Sequence, residues 1–218
     1  MKKLLSSIIF FVLAGVNIIF AQNYNLSEIS QARLVTEYSA NTTVDEMDTV
    51  TFGVDKDGSP IEWIVLEKSN NKALLLSKYV LTSHSYNEEY VDITWENCTM
   101  RKWLNSEYIN TIFSKKEQGS ILTTDVINND NVQYGTKGGN KTKDKLFLLS
   151  IDEVNKYFST DNQRVATNKS GSYSDWWLRS PGNGQSDAAY VYTVGDLYEY
   201  GVTVRNGRGV RPALWVKY

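Results

Sequence analysis

The chain has 218 residues and a nearly balanced charge, 23 Lys+Arg against 25 Asp+Glu, with one His and one Cys. A single Cys excludes an intrachain disulfide or a thiolate metal cluster, and a single His excludes sites built on paired imidazoles. A net charge of −2 speaks against non-specific nucleic-acid binding, which needs a basic surface to neutralise phosphates.

Lys2 and Lys3 precede a largely apolar run from Leu4 to Phe20, and Ile19-Phe20-Ala21 sets a small residue before polar Gln22. This three-part pattern predicts a secretory signal peptide over residues 1–21 and an exported protein, in the periplasm, at the cell surface or secreted. The competing reading, a retained anchor, has an apolar run of about 17 residues, the low end of the spanning range. Asn17 also interrupts it, so no membrane span is expected after cleavage. Export without disulfides leaves stability to apolar burial, which 6 Trp, 14 Tyr and 7 Phe can supply. Cys98 reads as a small buried hydrophobe.

Residues 22–48 are polar, with Leu26, Ile29, Leu34 and Tyr38 at roughly helical spacing, which predicts one short amphipathic helix. Asn41 to Asp48 reads as a linker, and a domain is expected over residues 49–218. Val50–Val54, Ile61–Leu66 and Lys72–Ser77 read as strands, the last two joined at Ser69-Asn70-Asn71. Arg101, Leu104, Tyr108 and Ile112 recur at three- and four-residue steps and predict a helix over about residues 100–112. Ser114-x-x-Glu117 and Ser150-x-x-Glu153 match a capping box, the second opening a short helix through Val154, Tyr157 and Phe158. Between them, the Gly/Asn/Lys/Thr-rich stretch from Asn128 to Asp144 is expected to be an exposed, mobile loop, followed by a strand at Lys145–Leu149. The last third reads as short strands parted by Gly-containing turns, an antiparallel meander. Two helices within a mostly β chain indicate a mixed α+β domain.

The run Trp176-Trp177-Leu178-Arg179-Ser180-Pro181-Gly182, then Ala188-Ala189-x-Val191, Gly195, Gly201 and Gly209-Val210-Arg211-Pro212-Ala213-Leu214, resembles a bacterial family of domains of unknown function. Ile61-x-Trp63-x-Val65-Leu66, Leu75-Leu76-Ser77-Lys78, Trp95-x-x-Cys98-x-x-Arg101-x-Trp103-Leu104-Asn105 and Phe147-Leu148-Leu149-Ser150 agree, over about residues 50–216. The ending also resembles a wider superfamily that includes formylglycine-generating-enzyme-like domains and retroelement-diversified variable proteins. That resemblance implies a C-type-lectin-like α+β fold: a small twisted antiparallel sheet, two flanking helices and long loops. It carries no sugar-binding activity by itself.

The Glu-Pro-Asn-like and Trp-Asn-Asp-like triplets of calcium-dependent lectins do not occur, so no metal is expected. The cysteine pair that holds copper in the formylglycine-generating enzymes is missing, since Cys98 stands alone, and no cofactor is expected. His84, in Thr82-Ser83-His84-Ser85, lacks a surrounding nucleophile motif and reads as an ordinary loop imidazole. Trp177, Arg179, Pro181, Gly182, Gly209, Arg211 and Pro212 read as structural framework, the arginines bonded to carbonyls or a buried carboxylate and stacked on Trp177 or Trp215.

Between framework positions stand Asn183, Gln185, Ser186, Asp187, Tyr190, Tyr192, Asp196, Tyr198, Glu199, Tyr200, Arg205 and Asn206. Tyr with short polar residues is the composition of binding loops, and retroelement-diversified members vary in this segment. Strand alternation puts Tyr190 and Tyr192 on one face, opposite Val191. The expectation is an exported, non-enzymatic module without catalytic residues, binding a protein or glycan through these twelve positions. A structural or envelope-associated domain without a dedicated ligand, and an enzyme of unassigned chemistry, are the alternatives.

Overall fold

The computed structural model describes residues 21–218; residues 1–20, the body of the expected signal sequence, lie outside that range. Strands β1 (Asn23–Asn25), β2 (Thr49–Val54), β3 (Pro60–Ser69) and β4 (Lys72–Ser77) lie side by side in that order, and β12 (Ala213–Lys217) completes the sheet beside β4. β1 runs parallel to β2; the other neighbours are antiparallel. The tight β3–β4 turn needs two left-handed residues, which Asn70 (φ 46°) and Asn71 (φ 63°) supply.

A second sheet contains β5 (Thr82–Ser85), β8 (Trp176–Pro181), β9 (Asp187–Val191), β10 (Leu197–Thr203) and β11 (Gly207–Val210), in the order β10-β9-β8-β11-β5. β11 is parallel to β8 and antiparallel to β5. A small hairpin, β6 (Thr124–Val126) with β7 (Thr142–Asp144), stands apart. β4 leads into β5 while β11 leads into β12, so two paired segments cross between the sheets together. Their corner is bonded by Ser77 N–H to Pro212 O and Leu81 N–H to Val210 O, each 3.0 Å. Arg211 fills the inside of this corner. It is fully buried, donates from Nε to Ser77 O at 2.8 Å, and lies 4.9 Å above the Trp176 ring. Burial pushes its guanidinium down to about 9.

Trp63, Trp95, Trp176 and Trp177 are fully buried and anchor the core. Each indole N–H finds an acceptor: Phe52 O at 2.7 Å, Asp144 Oδ2 at 3.1 Å, Arg164 O at 3.1 Å and His84 O at 3.0 Å, respectively. Large rings can therefore be buried without an orphaned donor. The helical stretch at α1 (Thr99–Trp103) continues through a π turn, Leu104–Tyr108, into α2 (Ile109–Ile112), with Met100, Leu104, Tyr108 and Ile112 buried. α3 (Lys115–Gln118) and α4 (Ile151–Tyr157) carry the capping boxes at Ser114 and Ser150, and α5 (Asp161–Arg164) follows. Among the described residues, no helix is long and apolar enough to cross a membrane.

The α+β, C-type-lectin-like expectation of one small antiparallel sheet with two flanking helices is overturned. The described residues are mostly β, with 35% strand and 19% helix, and the twelve strands among them form mixed sheets. The reason is visible in the strands: β8 is buried along its whole length, and β4 nearly so, leaving no bare sheet face for a pair of long helices to cover. Residues 22–48 also depart from one helix and a linker. They form β1 and three 3₁₀ turns that bury Ile29, Ala32, Val35, Tyr38, Val44 and Met47. Likewise the stretch from Asn128 to Asp144 is pinned, with Asn128, Asn131, Thr136, Thr142 and Asp144 all buried.

Asp48 ties the N-terminal segment down. Its side chain, 2% exposed, accepts from Arg33 Nη2 (3.1 Å), Arg33 Nε (3.2 Å) and the backbone N–H groups of Arg33 and Gln22 (3.2 Å each). Burial alone would raise this carboxyl, but the Arg33 hydrogen bonds outweigh it and hold the group below its ordinary value. Asp48→Ala should cost about 2–3 kcal/mol in chemical denaturation, less than a fully buried pair because Arg33 is one-third exposed. Because the folded value is lowered, this stabilisation is present at neutral pH and drains away as pH falls below about 4. Wild type and variant should converge in stability there, and a constant gap down to acid unfolding would contradict this role.

Candidate functional site

The candidate face is a row of side chains crossing the second sheet. Register pairs Tyr198 with Tyr190 and Tyr190 with Trp177, so these rings share one face of β10, β9 and β8. Arg208 on β11 reaches the same face: its guanidinium lies 3.8 Å over the Tyr190 ring and 5.6 Å from that of Trp177. It pairs with Asp175, one residue before β8. Tyr198 stacks on Tyr190 at 5.2 Å and 28°, and Tyr192 leans on Tyr198 at 6.4 Å. Burial separates the rings. Tyr190 is 7% exposed, whereas Tyr192 and Tyr198 are 44% and 47% exposed. Burial raises the Tyr190 phenol, with the neighbouring phenols adding to it, and lowers the Arg208 guanidinium.

The other candidates divide by what holds them. Asn183 donates its N–H to Tyr200 O (2.8 Å), and its own carbonyl accepts from Thr136 Oγ1 (3.0 Å). Gln185 braces two loops, donating from Nε2 to Ile93 O (3.0 Å) and Lys137 O (2.9 Å). The Ser186 carbonyl accepts from Val204 N–H (3.0 Å), and half-buried Asp187 has its carboxyl raised by desolvation. Asn131 Nδ2 donates to Glu199 O and Pro181 O, 2.9 Å each. These bonds pin the 128–137 segment across β8 and β10, so Asn183 through its backbone and Gln185 through its side chain act as ties between loops. Tyr200, 55% exposed, meets Tyr134 edge-on at 5.8 Å. Asp196 is exposed in the β9–β10 turn, and Arg205 and Asn206 are exposed in the β10–β11 turn. The structure thus brings Tyr190, Tyr192 and Tyr198 together, with Asp187 on β9 and Glu199 and Tyr200 on β10 outside that cluster and the remaining candidates on the flanking turns.

The framework residues lie inside. Trp177, Pro181, Gly182, Gly209, Arg211 and Pro212 are buried, and a Cβ on Gly209 would sit 2.3 Å from Asp175 O. Arg179, 3% exposed, donates to Leu148 O (2.7 Å), Ile127 O (2.8 Å) and both Glu153 oxygens, and its ring neighbour is Phe147 at 5.7 Å, not Trp177 or Trp215. Arg208, Asp175 and Tyr134 join the face without having been candidates. Arg208 between two glycines carries no local signal of its own; only the parallel β8–β11 contact brings it to Tyr190.

His84 shares its Nδ1 with Ser85 O at 2.7 Å and stacks on Trp103 at 4.5 Å. Cys98 is fully buried at the start of α1, where its sulfur accepts from Arg101 N–H at 3.4 Å; burial pushes the thiol up to about 12. Among the described residues, no group of three or more His, Cys, Asp and Glu side chains stands ready to hold a metal ion.

Residues 70–218 match the family described as a domain of unknown function, DUF6273, and the chain belongs to that family. No curated protein and no solved structure matches the chain.

Tyr190→Ala should destabilise the fold by about 3 kcal/mol, as loss of a buried aromatic does. Tyr198→Ala should cost only about 1 kcal/mol, the scale of one stacked aromatic pair; urea denaturation compares the two, and equal losses would make Tyr198 part of the core. Cys98 should resist iodoacetamide at pH 8 in the native protein and react once guanidinium unfolds it, with mass spectrometry as the readout.

Proposed function

We propose that this member of the DUF6273 family is an exported, non-enzymatic module that binds a protein or glycan ligand on the tyrosine face of its second sheet. The observation that carries the reading is the platform at Tyr198, an exposed ring held from beneath by buried Tyr190, which is itself capped by Arg208. A ring fixed before contact offers apolar area and a hydroxyl at little entropic cost, which is how aromatic-rich binding surfaces gain affinity. Tyr192 widens this platform, and the Tyr134–Tyr200 pair offers two further exposed rings.

Export is supported by the charged, apolar and small-residue pattern of residues 1–21, with the periplasm, cell surface and medium as destinations. Kinship with the wider superfamily of formylglycine-generating-enzyme-like and diversified proteins rests on the Trp176–Leu214 motif alone and carries neither fold class nor site. If positions vary for binding, the exposed set of Tyr192, Asp196, Tyr198, Tyr200, Arg205 and Asn206 can do so freely, whereas Gln185, whose side chain braces two loops, cannot without loosening them.

The test is an array of glycans and bacterial surface proteins probed with the wild type and with the Tyr192→Ala/Tyr198→Ala double variant. Capture of a ligand by the wild type, weakened about tenfold or more in the variant with Tm shifted by no more than about 4 °C, is the expected result. Undiminished capture by the variant, or no capture by either protein, would overturn the proposal.

A further inference from the structure

A concavity separate from the tyrosine face lies on the other side of the β9–β10 turn. It has a volume of about 470 Å³ and is walled by Thr43 to Asp45, Asn162, Val165, Thr167, Tyr173, Thr193 and Val194. Its size falls in the range of small-molecule sites. Three segments distant in sequence meet there, and each is tied to the next. Gln163 Nε2 donates to Ser39 O at 3.1 Å and Thr160 Oγ1 to Ala40 O at 2.9 Å, joining the N-terminal segment to α5. Arg164 Nε donates to Gly195 O at 2.8 Å, joining α5 to the turn. The approach is so close that a Cβ on Gly195, at φ 92°, would lie 2.0 Å from Asp161 O. Tyr173 is carried by a short hairpin in which Ser174 N–H bonds Ala166 O at 2.9 Å. The walls are therefore fixed before any ligand arrives.

The chemistry of the walls is selective. Tyr173 and Val194, 70% and 59% exposed, present apolar surface that nothing in the fold covers. Around them stand the hydroxyls of Thr167 and Thr193 and the amide of Asn162, groups that donate and accept hydrogen bonds without charge, while the Thr43 hydroxyl is already bonded to Glu46 Oε2 at 3.0 Å. Asp45 is the one acidic side chain in the lining, with Lys78 Nζ 3.9 Å from its Oδ1, and the lining itself holds no basic residue. An anionic ligand would find no cation in the lining to pair with and would sit beside a carboxylate already matched by Lys78. A purely apolar ligand would strand the hydroxyls and amide. A neutral saccharide fits both halves: its C–H face stacks on an aromatic ring while its hydroxyls pair with Thr, Asn and Asp oxygens.

We propose that this cleft binds a neutral mono- or disaccharide, with Tyr173 as the stacking ring and Asn162, Thr193 and Asp45 as hydrogen-bonding partners. The site is independent of the tyrosine face, although the two share the β9–β10 turn, with Tyr192 on one side and Thr193 and Val194 on the other.

The test titrates the purified chain calorimetrically with cellobiose, maltose and diacetylchitobiose, and with digalacturonic acid as the acidic comparator. At least one neutral disaccharide should bind, with affinity reduced about tenfold by Tyr173→Ala and by Asn162→Ala at unchanged Tm, and untouched by Tyr198→Ala. Failure of all three neutral sugars, tighter binding of digalacturonic acid, or affinity insensitive to Tyr173→Ala would each overturn the cleft proposal. Loss confined to Tyr198→Ala would likewise overturn it, while moving sugar recognition to the tyrosine face.

Discussion

The corner where paired strands pass from one sheet to the other governs the molecule. Gly209-Val210-Arg211-Pro212-Ala213 runs through it, and each position answers to a local demand. Gly209 leaves room for the Asp175 carbonyl, and the Val210 carbonyl accepts from Leu81 N–H. Pro212 offers a carbonyl to Ser77 at a place where its missing N–H leaves no donor unpaired. Arg211 spans the interior, gripping Ser77 on one side and lying over Trp176 on the other. Only Nε finds an acceptor, Nη1 and Nη2 being buried without a protein partner, so the indole face is the main replacement for the lost water. Because this corner joins β4 to β12 and β5 to β11 at once, the orientation of the second sheet, and of everything mounted on it, follows from it.

Arg179 performs a complementary task on β8. Its hydrogen bonds gather the 148 carbonyl, the 127 carbonyl and the Glu153 carboxylate, and its own carbonyl accepts from Tyr86 Oη at 2.7 Å. Glu153 simultaneously caps α4 through Ser150 N–H at 2.9 Å. The charge is thus shared between a helix start and two loops, and the strand carrying Trp177 is held from behind. The exposed tyrosines stand on this rigid support. On the proposed reading, such a surface would bind by shape already present, with little ordering left to do on contact.

Much of the local architecture was legible in the residues. The Asn70-Asn71 turn, the stretch over residues 100–112 and the capping boxes at Ser114 and Ser150 all rest on short-range stereochemistry, which one sequence displays. What escaped was long-range. Residues 22–48 read as polar because their few apolar side chains are spaced for 3₁₀ turns over β2 and β3, not for one helix face. The stretch after Asn128 read as loose because Asn131 finds its acceptors 50 and 68 residues away. The tyrosine cluster was visible as composition, yet which ring is floor and which is platform depends on Arg208, brought in by a parallel strand contact no local pattern announces. Fold class depends on the same long-range pairing: helical segments are legible locally, but the number of sheets depends on how strands from both ends of the chain combine.

The ribbon corner also has a temporal side. Arg211 and Ser77 are 134 residues apart, and β11 sits between β8 and β5 while β12 closes the outer side of β4. Neither sheet can be completed until residues 207–217 have joined it, so folding must close very long loops before they are rewarded by contacts. A nascent chain of this topology keeps open edges, and remains threadable, until almost all of it is available. For a polypeptide that crosses a membrane extended and folds on the far side, late closure protects passage; the same delay leaves unpaired strand edges exposed to aggregation for as long as passage lasts.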